Sequence, residues 1–203
     1  MHLFKTGPYN PASNFATKYE GVVALGKQEN DVGIDLVRMR EFAGNIGKTD
    51  QVVLKSFSKI FCSDLRRTTQ TYGYLEANDF LAKKHSVVFD ELFREVRFDI
   101  TQLCSPGEYA NGGSSVVRAK FVEAFICDDL LESRAEIKQR FKRLDALNYQ
   151  STENILIISH TFFLKLYIIY RAQKDLFEYP DKLKDLLNPN ERIMSFCELT
   201  KLN

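Results

Sequence analysis

Short, unbroken apolar runs recur along the chain, each followed by a segment whose apolar positions fall three and four apart. The most apolar stretch, residues 155–170, reads as two such elements. Ile155 to Ile158 is a buried strand, and from Thr161 onward Phe162, Leu164, Leu166, Ile168 and Ile169 continue into a helix. A membrane span needs about twenty largely apolar residues, and His160 and Lys165 interrupt this run, so it predicts core and no membrane segment. The same alternation predicts a strand over residues 1–5, then a loop rich in Gly, Pro, Asn and Ser from Gly7 to Asn14. A helical period covers residues 27–42, with Val32, Leu36, Met39 and Ala43 in phase. Residues 59–62 form a second buried strand, Ser63-Asp64 opens a helix through Thr71 and Leu75, and residues 87–89 form a third strand. Residues 98–115, with Pro106, Gly107, Gly112 and Gly113, have no clear period and read as a long excursion. A helix bearing Val117, Phe121, Ala124 and Phe125 follows, then another over 133–147, and a strand near 192–199 ends the chain.

Alternating strands and helices predict an α/β fold: a three-layer α/β/α sandwich with a mainly parallel central sheet. No internal repeat, low-complexity tract or linker divides residues 1–203, so a single domain is expected. Composition changes this picture only slightly. Hydrophobic residues at 44% and charged ones at 27% are those of a globular protein. Lys and Arg number 28 against 27 Asp and Glu, a net charge of +1, so no broad basic surface for nucleic acid is expected and any anion site must be a local arrangement. Cys62, Cys104, Cys127 and Cys197 include no CxxC pair and no histidine at ligand spacing, which predicts neither a metal site nor a bound cofactor. The first residues lack the pattern of a secretion signal, and a reducing, cytoplasmic setting is expected.

In parallel α/β sheets, ligands bind beyond the carboxyl ends of the strands. Four segments follow strands here: Lys5-Thr6-Gly7, Ser63 to Arg67, Leu92 to Glu95, and Ser159-His160-Thr161. Two of them are strand-to-helix turns, which present backbone N–H groups and a positive dipole end. Together with Lys5, Arg66, Arg67 and His160 they describe an oxyanion site, with phosphate as the natural guest.

These segments, in this order, resemble the histidine phosphatase superfamily, the phosphoglycerate mutase-like fold. Ser63-Asp-Leu-Arg-Arg67-Thr-Thr-Gln-Thr71 is similar to that family's S-x-L-x-R-x-x-x-T helix start, which puts Arg67 on the phosphate-binding arginine. Ile157-Ile-Ser-His160-Thr-Phe-Phe-Leu164 resembles the second histidine motif, V-x-S-H-G-G-x-L, with Thr161 in place of its first glycine. Leu92-Phe-Arg-Glu95 is similar to the L-x-E segment that supplies the general acid, and Glu132-Ser133 with Ile137 and Arg140 resembles the Glu-Ser helix start before the last core strand. Residues 97–131 then correspond to a variable insertion or lid. The fifth motif departs. Where the family has Arg-His-Gly, with the histidine as nucleophile, this chain has Lys5-Thr6-Gly7.

Phosphohistidine chemistry needs a neutral imidazole nitrogen aimed at phosphorus, and a threonine hydroxyl becomes nucleophilic only beside a base. Lysine for arginine keeps the charge and loses the planar fork that grips two oxygens. The resemblance therefore implies a retained phosphate pocket of Lys5, Thr6, Arg67, His160 and Thr161 without phosphohistidine turnover, whose guest is inorganic phosphate, a small phosphorylated ligand or a protein partner. The alternatives are a slow phosphomonoesterase, in which Glu95 or His160 activates water, and an interaction protein with a vestigial pocket.

Overall fold

The centre of the sheet is the segment that can be buried on both sides. In β4 (Ile155–Ser159) every residue is buried; Ile155 and Ile157 pack into one apolar cluster, and Leu156 and Ile158 pack into another. This period of two across a sheet covered on both faces is why the strand reads as a continuous apolar run. Around it lie β1 (His2–Lys5), β2 (Lys59–Ser63), β3 (Ser86–Asp90) and β5 (Leu199–Lys201), in the order β3-β2-β4-β1-β5. The first four run parallel, and β5 is antiparallel to β1. The computed structural model describes residues 1–5, 19–20, 23, 33–44, 46–149, 154–187 and 197–202.

Helices cover both faces. On one, α1 (Leu36–Gly44), α2 (Lys48–Leu54) and α3 (Arg66–Ala77) set Met39, Ala43, Leu54, Tyr72 and Leu75 against Phe4, Ile60, Cys62, Leu156 and Ile158. On the other lie α4 (Ile100–Leu103), α5 (Pro106–Cys127), α6 (Arg134–Tyr149), α7 (Thr161–Ala172) and α8 (Pro180–Leu186). There Phe121, Phe125, Phe141, Phe163 and Tyr167 pack on Leu3, Phe61, Ile155 and Ile157. The expected α/β sandwich is therefore present, with a mainly parallel sheet. Among the described residues no helix is long and apolar enough to cross a membrane.

Several boundaries differ from the sequence reading. The stretch expected to be an excursion folds as α4 and the first half of α5. Ser105 caps α5 in a reciprocal capping box with Glu108, and Pro106 occupies the first turn, where its missing N–H costs no bond. The apolar period is lost at Gly112-Gly113 because the helix itself breaks there: Gly113 has φ 56° and ψ −143°. The helix expected over 27–42 is described from Leu36, and α2 and α8 are additional short helices. The predicted loop from Gly7 to Asn14 and most of the strand predicted near 192–199 lie outside the described residues, and β5 begins at Leu199.

Strand register gathers the carboxyl ends. Lys5 is level with Ser159 across β1–β4, Cys62 with Ile158 across β2–β4, and Ser63 with Asp90 across β2–β3. The second half of α5 reaches the same edge through Phe121, whose ring stacks on Phe162 with centroids 3.7 Å apart.

At Gly113 a Cβ would meet nothing within 4 Å, so substitution there costs backbone conformation alone. Gly113→Ala is expected to lower stability by about 1–3 kcal/mol, because its backbone lies in a region that is essentially glycine-only. Gly73→Ala, in the interior of α3 and equally free of contacts, is expected to raise it by roughly 0.5–1 kcal/mol. Urea unfolding measures both.

Candidate functional site

His160 is the N-cap residue of α7, held where β4 ends, and its ring is only 1% exposed. A buried imidazole needs partners for both nitrogens, and β2 and α3 supply them. Arg67 Nε donates to His160 Nδ1 at 2.9 Å. An arginine nitrogen brings its own hydrogen, so Nδ1 must be bare and the ring's single proton sits on Nε2. Nε2 lies 2.9 Å from Ser63 Oγ and donates to it, while Ser63 Oγ also accepts from Leu65 N at 3.3 Å. Burial holds the His160 pKa well below the usual imidazole value, and the charges of Arg67 and Arg140 push it the same way. His160 is thus a neutral ring of defined tautomer.

Arg67 lies in the first turn of α3 and is 7% exposed. Thr71 Oγ1 donates to its carbonyl at 2.7 Å, fixing the turn beneath it. Lys5, at the end of β1, is 5% exposed; its backbone donates to Glu198 O at 3.2 Å and accepts from Cys197 N at 3.1 Å. A buried arginine thus binds a neutral imidazole at the sheet edge, and a buried lysine ends the neighbouring strand level with Ser159. Thr161 is the first residue of α7 and half-buried, and Thr6 lies outside the described residues.

Glu95 takes an unexpected place. Its Oε1 accepts from Phe163 N at 2.7 Å and Val96 N at 3.1 Å, and its Oε2 accepts from Phe162 N at 3.2 Å. The carboxyl therefore sits at the N-terminus of α7 as an internal anion, favoured there by the helix dipole. Those two helix N–H groups, expected from the sequence to be open to a ligand, are already engaged. Burial raises the Glu95 pKa, opposed by the Arg67 charge and the three backbone donors.

The segment carrying Glu95 is clamped from α6. Arg140 Nη1 binds Glu132 at 2.7 and 2.8 Å, while Nη2 donates to Leu92 O at 2.9 Å and Arg94 O at 2.5 Å. Glu132 also accepts from Arg97 N at 3.1 Å, and the Arg140 guanidinium lies 4.8 Å from the Phe163 ring centre. Ser159 Oγ donates to Phe93 O at 2.6 Å, and Arg94 grips Asp64 at 2.6 and 2.5 Å. Ser63, Ser159 and the Glu132–Arg140 pair are supporting groups that the sequence reading left without a role in the site. The clamp's only signal was the Glu-Ser helix start. Beyond Glu95 the clamped segment and α6 bound a cleft of about 340 Å³, lined by Arg94, Glu95, Arg97, Arg140 and Arg143 among others and reaching neither Arg67 nor His160. Among the described residues no three His, Cys, Asp or Glu side chains converge where a metal could bind.

Chemically, the edge offers cationic donors and a neutral ring, a combination suited to holding an oxyanion. Solved structures with a similar fold include a hydrolase, a phosphatase and a mutase. Mycobacterial hydrolase 1 superposes with a TM-score of 0.59 at 16% identity, over 89% of this chain and 84% of its own. A phosphoserine phosphatase from Entamoeba histolytica, bound to 3-phosphoglyceric acid, has a TM-score of 0.53 at 15% identity, over 98% and 87%. Phosphoglycerate mutase from Bacillus anthracis str. Sterne gives 0.50 at 16% identity, over 86% and 79%. These identities speak for the fold alone, and no curated protein matches significantly. The model of the histidine phosphatase superfamily (branch 1) matches residues 50–182, a span that includes Arg67, Glu95 and His160. The chain therefore belongs to the histidine phosphatase superfamily.

Proposed function

We propose that the chain binds inorganic phosphate or a small phosphorylated ligand at the carboxyl edge of its sheet, without phosphohistidine chemistry. The observation that carries this reading is the Arg67–His160–Ser63 chain, with buried Lys5 level with Ser159 on the neighbouring strand. Arg67 is oriented by its Nε bond to His160, and the reading assigns its terminal nitrogens to the phosphoryl oxygens. The His160 Nε2–H, which donates to Ser63 here, is a bond that an incoming oxyanion can accept instead. With two of the α7 N–H groups held by Glu95, the ligand relies on side chains: Lys5, Arg67, Thr6 and Thr161. Residue 6, where the family's motif has its nucleophilic histidine, is threonine. Neither nitrogen of His160 is available as a base in this arrangement, since one accepts from Arg67 and the other carries the proton. Residues 97–131 act as the lid that selects the ligand, a role favoured by the Phe121–Phe162 stack at the start of α7. A partner protein bearing a phosphorylated side chain would present the same dianion.

A second reading, slow phosphomonoester hydrolysis, has one observation in its favour. Burial raises the Glu95 pKa, as a proton donor to a leaving oxygen requires. It requires Glu95 to leave the α7 N-terminus during turnover.

Ligand binding to the native state alone stabilises by about 2.7 kcal/mol at a hundredfold excess over Kd, roughly 5–10 °C in Tm for a domain of this size. Phosphate and vanadate are expected to produce a shift of this kind. Arg67→Lys should weaken binding by about tenfold or more, and Arg67→Gln should abolish the shift. No shift of the wild type at millimolar anion contradicts the reading. Thr6→His is expected to create p-nitrophenyl phosphatase activity that the wild type lacks, whereas robust wild-type turnover lost in His160→Asn would favour hydrolysis.

The neutral imidazole has its own signature. The folded pKa of His160 lies below its unfolded value, so on acidification the unfolded chain takes up a proton that the native state refuses. Stability should fall by up to about 1.4 kcal/mol per pH unit once the pH drops below the unfolded imidazole value. His2, whose pKa is also lowered by burial, contributes its own share, and His160→Asn should remove the His160 part of the slope in urea titrations at several pH values.

A further inference from the structure

Behind the segment that carries Glu95 lies the cleft of about 340 Å³ between residues 91–97 and α6. Its volume is at the lower end of the range that holds small molecules. Leu92 is the one apolar residue in its wall and is itself buried, so a guest meets charged and amide groups. Four arginines and four glutamates line it, and formal charge alone favours no class of ligand.

Hydrogen bonding breaks the tie, because the acids are already used. Glu95 is turned to the N-terminus of α7, and Glu132 holds the Arg140 guanidinium and the Arg97 backbone. Glu136 caps α6, accepting from Ser133 N at 2.8 Å and from Ser133 Oγ at 2.7 Å. Glu91 lies 3.9 Å from Arg94. Of the donors, Arg140 is spent on Glu132 and two carbonyls, and Arg94 on Asp64. Arg97, Gln139 and Arg143 differ: among the described residues none of these side chains has a hydrogen bond or an ion pair. Gln139 and Arg143 are one turn apart on the same face of α6, and Arg97 stands on the other wall. The Glu136 pKa is held down by its bonds to Ser133 and, more weakly, by the Arg97 charge, which sets Arg97 within electrostatic reach of α6. Two open guanidinium forks and an amide are what a carboxylate or phosphate group grips at two points.

We propose that this cleft is a second anion site, in which a small dianion with carboxylate or phosphate groups bridges Arg97 to Gln139 and Arg143. It uses neither Lys5, Arg67 nor His160 and does not rest on the phosphate reading of the sheet edge. An occupant would tie residues 92–97 to α6 a second time, beside the bonds that Arg140 already makes to Leu92 O and Arg94 O.

Titration of succinate and of pyrophosphate into the whole chain at physiological ionic strength, followed through its backbone amide resonances, tests this site by site. Amides of Arg97 and of residues 139–143 should shift saturably with at least one of the two anions, and the one that binds tells carboxylate from phosphate. Arg97→Gln with Arg143→Gln, both on exposed side chains, should leave circular dichroism and the urea midpoint unchanged. The pair should weaken binding by about tenfold or more and spare any response of residues 67–71 to orthophosphate. Shifts at 139–143 with none at 67–71 would support the cleft while contradicting the edge pocket. No saturable shift at 139–143 with either anion, or equal binding by the doubly substituted chain, would overturn the proposal.

Discussion

One proton shared between two demands governs this site. His160 is buried beyond the reach of water, so both ring nitrogens need partners, and Arg67 can only donate. That forces the proton to Nε2 and requires an acceptor there, which Ser63 provides. The requirement reaches into the fold. β4 must end level with β2 so that Ser63 and His160 meet, and α3 must begin within a few residues of β2 so that Arg67 points back. Charging the imidazole would set a second cation against Arg67 in a water-free space, which is why its pKa is driven down.

A second buried group obeys the same logic with the opposite sign. Glu95 enters the interior as a carboxyl and is met by three backbone N–H groups and by the field of Arg67. The helix N-terminus that elsewhere would greet a ligand is used to stabilise this side chain. The Glu132–Arg140 clamp holds residues 92–97 around it, and removing either member would leave the other uncompensated. The edge therefore offers side-chain donors, with the Phe162 and Phe163 N–H groups at the start of α7 already taken by Glu95.

The layered fold was legible because its strongest signals come from burial on both faces. Ile155 to Ile158 and residues 59–62 are apolar without alternation, and Ser63-Asp64 and Ser159-His160 mark the strand-to-helix turns. The start of α5 was missed although Ser105-Pro-Gly-Glu108 spells out a capping box, since the break at Gly113 removes the period that would have confirmed it. The site was half legible. Arg67 and His160 follow from motif and turn, and the structure joins them directly. Glu95 was legible as a candidate acid but not as the partner of α7, because a bond to backbone N–H leaves no trace in residue type. Ser63 was visible only as a helix opener. Its proton-accepting role appears when the tautomer of a residue 97 positions away is worked out.

The central claim is that His160 is a neutral ring, bare at Nδ1 and protonated at Nε2, holding Arg67 in place for an anion. Nitrogen-15 NMR of the histidine side chains, followed from neutral to acid pH, addresses it directly. The account predicts a His160 signal with a protonated Nε2 and an acceptor-type Nδ1 that fails to titrate across the ordinary imidazole range. An imidazolium at neutral pH, or a proton on Nδ1, would contradict it.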